Sequence, residues 1–372
     1  MSVVLRNRVS SLLPDFPWDT IADAKARAAA HPDGIVDLSV GTPVDPVDPL
    51  IRSALASVSD VPGYPTTHGT PELRGSAVDA LKRRYGITGL SPAAVLPVIG
   101  TKELIAGLPR LLGLGAGDLM VIPEIAYPTY EVGGLLAGCE ILRADSLTQI
   151  GPRNPALIFI NSPSNPTGKV LGVDHLRKVV SFARERGAII ASDECYLGLT
   201  WEGRAPSLLD PEVCDGDHTG LLVVHSLSKT SNLASYRAGF VAGDPELVAE
   251  LLEVRKHSGM IVPFPIQAAM TAALGDDAHE SRQRERYRAR RQVLRQALEG
   301  AGFEIHHSAA GLYLWATRGE PSRATVDRLA TDGLLTAPGD FYGPAGAQHI
   351  RVALTATDER VAAAAARLSV AV

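Results

Sequence analysis

Cysteines, long apolar runs and excess charge of one sign are scarce in this 372-residue sequence, and each scarcity excludes a class of protein. The three cysteines, Cys139, Cys195 and Cys214, include no closely spaced pair, so we expect a cytoplasmic protein without a disulfide framework or a metal site. No apolar stretch approaches the length of a membrane span, and residues 1–8 are too polar to begin a signal peptide. The mild net charge of −5 predicts no nucleic-acid partner and no membrane surface.

The hydrophobic pattern changes once along the chain. Between about residue 35 and residue 241, short apolar strands alternate with helices, which is typical of an α/β protein with a mainly parallel sheet. After residue 263 longer helices and scattered strands predict a second, smaller α+β domain that the N-terminal helix joins. We therefore predict a large domain over residues 44–260 and a small domain that combines residues 1–43 with residues 261–372.

Polar residues follow several of the predicted strands directly. Because the carboxyl ends of parallel strands lie at one edge of a sheet, side chains there meet and form the usual ligand site of such folds. The residues at these strand ends include Thr101, Asn165, Asp193, Ser226 and Lys229.

Lys229 differs from the six other lysines because it follows a buried apolar strand, residues 221–225, within a hydroxyl-rich turn. Burial disfavours the charged ammonium and lowers the pKa, as a lysine that attacks a carbonyl carbon requires. The hydroxyls of Ser226 and Ser228, with Arg237 eight residues beyond the lysine, suit a phosphate group. We therefore hypothesise a lysine that binds pyridoxal phosphate (PLP), although for this motif in isolation an ordinary surface turn is the favoured interpretation.

Four motifs follow one another along the chain: Asn165-Pro166-Thr167-Gly168, Asp193-Glu194-Cys195-Tyr196, Ser226-Leu227-Ser228-Lys229 with Arg237, and His349-Ile350-Arg351. Together they resemble, in order and spacing, the motifs of the PLP-dependent aminotransferases of class I/II, which have fold type I. The resemblance covers almost the whole chain. It implies an α/β fold in which the large domain has a mainly parallel, seven-stranded type of sheet.

The resemblance implies catalytic roles for Lys229, Asp193 and Tyr196. Lys229 holds PLP covalently and, once released by the substrate, moves a proton between the substrate and the cofactor. Asp193 pairs with the pyridine nitrogen, while Tyr196 and Asn165 hydrogen-bond the phenolic oxygen of the ring. Without the resemblance, a helix-capping aspartate, a core tyrosine and a turn asparagine remain open.

The remaining cofactor contacts are also implied by the resemblance. Arg237, Ser226 and the start of a helix at Thr101 and Lys102 hold the phosphate, and Ser228 assists. Tyr127 stacks on the pyridine ring, and Tyr64 reaches across the interface of a homodimer to the phosphate of the partner. Core packing for Tyr127 and a plain loop position for Tyr64 are the alternatives.

The substrates that the resemblance implies are an amino acid and a 2-oxo acid. Arg351 binds their α-carboxylate, Asn165 contributes to the same contact, and Gly41 lets the N-terminal segment close over it. One residue departs from the family pattern, because Ser235 stands where glycine is usual, two positions before the phosphate-binding arginine. This leaves the geometry of the lysine loop in doubt.

Residues 254–263 and 311–315 look like segments of the actinobacterial succinyldiaminopimelate aminotransferases of lysine biosynthesis. The implied reaction transfers an amino group between N-succinyl-LL-2,6-diaminopimelate and 2-oxoglutarate. Both compounds carry a distal carboxylate, for which Arg255, Lys256 and His257 are candidates, although a solvated helix end is the simpler interpretation for at least two of them.

Three alternatives to this reaction stay open. The chain can be an aminotransferase for aspartate or another amino acid, or a PLP-dependent β-lyase with the same fold and lysine. A non-catalytic PLP-binding regulator is disfavoured, because such proteins usually attach a DNA-binding domain and the first domain here starts within about twenty residues.

Overall fold

The computed structural model describes residues 8–370 and contains thirteen strands and thirteen α-helices in that range. The strands are β1 (Val36–Asp37), β2 (Val95–Ile99), β3 (Leu119–Ile122), β4 (Glu140–Arg143), β5 (Leu157–Asn161), β6 (Ile189–Asp193), β7 (Leu221–Ser226), β8 (Ala238–Gly243), β9 (Glu304–His306), β10 (Tyr313–Thr317), β11 (Leu334–Leu335), β12 (Ala337–Pro338) and β13 (His349–Ala353). The helices are α1 (Ala22–Ala29), α2 (Pro49–Ala56), α3 (Pro71–Tyr85), α4 (Thr101–Leu111), α5 (Thr129–Ala137), α6 (Leu147–Ile150), α7 (Val173–Arg186), α8 (Pro211–Cys214), α9 (Pro245–His257), α10 (Phe264–Gly275), α11 (Ala278–Gly300), α12 (Ser322–Thr331) and α13 (Asp358–Val370).

A seven-stranded sheet forms the centre of the fold, with the order β2-β8-β7-β6-β5-β3-β4. All strands run parallel except β8, which is antiparallel to both of its neighbours. The carboxyl ends of β5 and β6 are in register, so that Asn161 lies beside Asp193. The predicted α/β fold with a mainly parallel sheet is therefore confirmed.

Both faces of this sheet are covered, which explains why its central strands are almost wholly apolar. Successive side chains of a strand point to opposite faces. Accordingly Ile158 and Ile160 of β5 pack in one hydrophobic core, while Leu157 and Phe159 pack in the core on the other side. The pattern holds the sheet as a rigid middle layer between helices.

Local signals in the sequence define the helix ends. The Thr70 hydroxyl accepts a hydrogen bond from the Leu73 amide at 3.1 Å and begins α3, and Gly86 ends it in a left-handed conformation at φ +75°. The predicted N-terminal helix corresponds to α1, which a 3₁₀ turn over Pro17–Ile21 precedes. No helix in residues 8–370 is long and apolar enough to cross a membrane.

The remaining strands form a four-stranded antiparallel sheet, β12-β13-β10-β9, and a two-stranded pair of β1 with β11. Their core surrounds Trp315 and Tyr287 and includes Ile21 and Ala28 from the N-terminal region. The division into residues 44–260 and residues 1–43 with 261–372 remains a proposal. Met270 of α10, beyond residue 260, packs in a core of the large sheet.

Candidate active site

A cavity of about 220 Å³ lies where β5, β6 and β7 end and where β13 and the N-terminal segment approach them. The predicted site residues other than Tyr64 line it: Gly41, Thr101, Lys102, Tyr127, Asn165, Asp193, Tyr196, Ser226, Ser228, Lys229, Arg237 and Arg351. Strand ends from one sheet therefore meet residues that are more than a hundred positions away in the sequence.

Lys229 follows β7 and reaches the floor of this cavity. Its Nζ donates a hydrogen bond to the carbonyl oxygen of Gly41, and no carboxylate pairs with it among residues 8–370. Burial lowers the pKa of Lys229, because the ammonium loses water and gains no counter-ion. The side chain is thus prepared to act as a neutral amine.

Asp193 ends β6 and is buried. Its Oδ2 accepts a hydrogen bond from the Tyr130 hydroxyl at 2.8 Å, and its Oδ1 accepts one from the Cys195 amide at 3.2 Å. Burial raises the pKa of Asp193, and no ion pair with it occurs in the described part of the chain. Sequence reasoning missed Tyr130, because nothing in the sequence distinguishes it from Tyr127 three positions earlier.

Asn161 fixes the loop that carries Asn165. Its side-chain amide donates to the Asp193 carbonyl oxygen at 2.9 Å, and its Oδ1 accepts from the Asn165 backbone amide at 2.7 Å. The Asn165 Oδ1 in turn accepts from Arg351 Nη1 at 3.1 Å. These bonds connect β5, β6 and β13 in one buried polar network.

Arg351 is buried in β13 and has no acidic partner within residues 8–370. Besides Asn165, it donates from Nη2 to the Ser39 carbonyl oxygen at 2.5 Å, and its guanidinium lies 3.9 Å from the centre of the Tyr313 ring. Its Nε is buried without a hydrogen-bond partner. A buried guanidinium that faces a cavity with an unused donor is a site for an anion.

Tyr313 is the second residue that sequence reasoning left out of the site. Its hydroxyl lies 3.2 Å from that of Tyr196, and a Cβ atom on Gly41 would lie 2.2 Å from the Tyr313 oxygen. Glycine at position 41 is therefore required by this close approach. The antiparallel pairing of β10 with β13 brings Tyr313 here. Residues 311–315 had been singled out for their resemblance, but that resemblance did not indicate that Tyr313 lies in the cavity.

Gly100 and Arg237 form the part of the cavity next to the start of α4. Arg237 has a left-handed backbone at φ +55°, and a Cβ atom on Gly100 would lie 2.3 Å from Arg237 Nη2. Ser226 Oγ accepts a hydrogen bond from the Ser228 amide at 3.1 Å in the same turn. Ser235 is not among the residues with positive φ, so its backbone does not need the glycine that is usual in the family.

Lys102 is partly exposed at the mouth of the cavity, with its Nζ 5.7 Å from the centre of the Phe16 ring and 5.8 Å from that of Tyr127. Partial burial and the nearby Arg237 lower the pKa of Lys102. It forms no ion pair with any residue that the structure describes.

The three candidates for a distal carboxylate do not line this cavity. Lys256 pairs with Glu253 on the exposed surface, and His257 is exposed, which agrees with the expectation of a solvated helix end for at least two of the three. Arg255 is instead fully buried and pairs with Glu103 at 3.1 Å, because α9 turns it inward against the first turn of α4. Tyr64 is fully exposed in a loop and does not reach the cavity of its own chain.

The residues of this cavity fit the PLP that the motifs imply. Lys229, buried and with a lowered pKa, fits the aldehyde of PLP, and Asp193, a buried carboxylate without a cation, fits its ring nitrogen. Arg237, which packs against Gly100, fits its phosphate. When bound, the cofactor supplies a carrier for the amino group and a sink for electrons. No cluster of three or more metal-ligating side chains occurs in residues 8–370.

Comparisons with known proteins agree with this geometry. The chain is 71% identical over 364 residues to a probable aminotransferase of Mycobacterium tuberculosis, and the aligned region covers 98% of this chain and 87% of that protein. It is 57% identical over 357 residues to OxyQ of Streptomyces rimosus, a 4-dedimethylamino-4-oxo-anhydrotetracycline transaminase, with coverage of 96% and 99%. A solved structure, a probable N-succinyldiaminopimelate aminotransferase of Thermus thermophilus, superimposes with a TM-score of 0.87 at 28% identity and covers 96% of this chain and 100% of its own.

The names of the two relatives do not specify succinyldiaminopimelate, so the narrower resemblance to those enzymes is not established by them. The broader one is. Residues 33–368 match the model of the family described as aminotransferase class I and II. The chain therefore belongs to the class I and II aminotransferases, and it is a PLP-dependent enzyme of fold type I.

Proposed function

We propose that this aminotransferase transfers an amino group between N-succinyl-LL-2,6-diaminopimelate and 2-oxoglutarate. Four cationic side chains line the cavity without an acidic partner in residues 8–370, and the observation that carries the proposal is that two of them, Arg351 and Lys102, remain after Lys229 and Arg237 are assigned to the cofactor. Both substrates carry a carboxylate at the reacting end and another anionic group at the far end, so each requires two such side chains.

In this proposal Arg351 binds the α-carboxylate. Its guanidinium is already oriented by Asn165, Ser39 and the Tyr313 ring, and its free Nε remains available to an anion. A planar guanidinium can bind a carboxylate through two parallel hydrogen bonds, which fixes the orientation of the substrate as well as its position. The substrate Cα is thereby held close to Lys229.

The Nζ of Lys229 is the group that takes the proton from the substrate Cα. A lysine of lowered pKa is neutral at a larger fraction of working pH values and can serve as a general base. Asp193 keeps the ring nitrogen of the cofactor protonated, since a buried carboxylate without a cation is stabilised by a positive partner. Tyr196 and Asn165 serve as hydrogen-bonding groups for the ring.

The phosphate is held by Arg237, Ser226, Ser228 and the amides at the start of α4. The face of the Tyr127 ring packs on the cofactor. Tyr64, which is exposed in its own chain, completes the phosphate site of a second copy in a homodimer. Lys102 takes the distal anionic group, because it lies at the mouth of the same cavity and no carboxylate neutralises it.

The amino-donor profile of the PLP-loaded protein with 2-oxoglutarate tests the proposal. We expect N-succinyl-LL-2,6-diaminopimelate to be the best donor, ahead of aspartate and aromatic amino acids. Efficient transfer from aspartate or an aromatic amino acid, with none from the succinylated donor, would contradict it. Release of pyruvate and ammonia without a keto-acid acceptor would instead identify a β-lyase.

A second candidate is amino transfer to a ketone on a polycyclic substrate. It is favoured by the 57% identity to OxyQ, whose name describes a transaminase of such a substrate. Assaying 4-dedimethylamino-4-oxo-anhydrotetracycline as amino acceptor beside 2-oxoglutarate separates the two. A kcat/KM for the tetracycline above that for 2-oxoglutarate would decide for this candidate.

A further inference from the structure

A second cavity, of about 140 Å³, lies behind the loop that carries Asn165. It shares no lining residue with the first cavity and opens between the end of the large sheet and α7. One wall of the cavity is formed by this loop and the end of β5, through Asn161, Ser164 and Thr167. The interior is apolar and is formed mainly by Leu147, Ile150, Ile158, Ile160, Leu171 and Val179.

The mouth of this second cavity carries Lys169, His175 and His307. The side chains of these residues make no hydrogen bond or ion pair with any other group in residues 8–370. One acidic residue, Asp145, also lines the cavity, and it accepts a hydrogen bond from the Glu124 amide at 3.0 Å. The mouth therefore presents the Lys169 ammonium and two imidazoles that have no bonded partner within residues 8–370.

Lys169 acts electrostatically on both histidines. Burial lowers the pKa of both His175 and His307, and in each case Lys169 is the next cause. Lys178 lowers the pKa of His175 further, Asp145 opposes these effects at His175, and His306 adds to them at His307. An anion at the mouth would relieve this repulsion between the basic groups.

We infer that this cavity binds a small monocarboxylate with an apolar body of about six carbons. An apolar cavity of about 150 Å³ holds one benzene molecule, so the interior here has room for a single phenyl ring or a short branched chain. The carboxylate then lies at the mouth, next to Lys169 and the two imidazoles. Apolar burial supplies the affinity, and the basic groups select an acid over a neutral amide.

Fluorine NMR with 4-fluorobenzoate tests this inference on the PLP-loaded protein. We expect saturable binding of about millimolar affinity, and much weaker binding of 4-fluorobenzamide. Lys169→Gln should weaken the acid by about threefold to tenfold, since it removes a partly exposed charge-assisted contact. Lys178→Gln is the matched control, because Lys178 lies on the same helix as His175 but does not line the cavity.

Benzoate can also bind at Arg351, and Arg351→Gln separates the two sites. If the second cavity binds the probe, Arg351→Gln retains a saturable site and Lys169→Gln weakens it. Loss of all binding in Arg351→Gln, or equal effects of Lys169→Gln and Lys178→Gln, would overturn the inference. Val179→Phe fills the cavity and should abolish this site, and its melting temperature reports whether it folds.

Discussion

Replacing Arg351 by lysine tests how the cavity recognises an α-carboxylate. Lysine keeps the positive charge but loses the planar fork, the ring contact with Tyr313 and the bonds to Asn165 and Ser39. Losing one charge-assisted hydrogen bond costs about 1.5–3 kcal/mol, which corresponds to a decrease of about 10- to 150-fold in kcat/KM. The variant should load PLP normally, because Arg351 does not contact the phosphate part of the site.

Glutamate and norvaline are a suitable pair of donors for the assay, since they differ mainly in the distal carboxylate. Arg351→Lys should lower kcat/KM for both donors by the same factor, because both have the α-carboxylate. Lys102→Gln, the matched variant, should lower kcat/KM for glutamate by about twofold to fivefold and spare norvaline, as expected for a partly exposed ion pair.

The opposite pattern would refute this assignment of the two cationic residues. If Arg351→Lys leaves kcat/KM for norvaline unchanged, the guanidinium recognises the distal group and not the α-carboxylate. If Lys102→Gln lowers kcat/KM for both donors by the same factor, the lysine acts on the cofactor instead. The absorbance of bound PLP and the melting temperature, measured for each variant, detect losses that come from cofactor binding or from stability.

Three further changes have defined outcomes. Lys229→Ala should abolish transamination without changing the far-ultraviolet circular dichroism, and a variant that keeps full activity would disprove its role. Gly100→Ala should raise the dissociation constant of PLP and lower the melting temperature. The new Cβ would lie 2.3 Å from Arg237 Nη2, and the backbone of residue 100 has a φ of +75°, which alanine rarely adopts. Equilibrium dialysis and calorimetry test the two effects. Asp277→Asn should destabilise the protein at neutral pH, because it removes the ion pair with Arg83 that lowers the pKa of the carboxyl group. The difference in melting temperature between wild type and variant should shrink as the pH falls from about 5 to 3, since the carboxyl group of the unfolded wild type becomes protonated there. A difference that grows toward low pH would contradict the last expectation.

Strand ends were the most informative feature of the sequence. Parallel strands share one edge, so polar residues after β5, β6 and β7 had to converge whatever the details of the packing. The one antiparallel strand, β8, did not disturb this, because it leaves the directions of the others unchanged. This is why the fold was predictable, and why Asn165, Asp193 and Lys229 meet in one cavity as expected.

The parts that sequence reasoning missed depend on contacts between distant segments. Tyr313 enters the cavity through the pairing of β10 with β13. Tyr127 precedes α5, whereas Tyr130 lies in its first turn and donates a hydrogen bond to Asp193. Which of the three basic residues at the end of α9 is buried could not be predicted, because the partner of Arg255, Glu103, lies about 150 positions earlier. Hydrophobic periodicity and secondary-structure propensity describe single helices and strands, and they carry no information on which of these elements are in contact.

The two residues proposed to bind the substrate carboxylates differ in how strongly they are held by the protein. Arg351 is tied to a strand, to a loop asparagine and to an aromatic ring, so a change at any of these would disturb the others. Lys102 lies at the start of a helix, and within residues 8–370 its ammonium is near the faces of two aromatic rings and forms no ion pair. Under the proposed function, mutation at position 102 should therefore change donor preference while the fold and the proposed carboxylate contact of Arg351 persist. Position 102 is thus a place where specificity could change at little cost to stability.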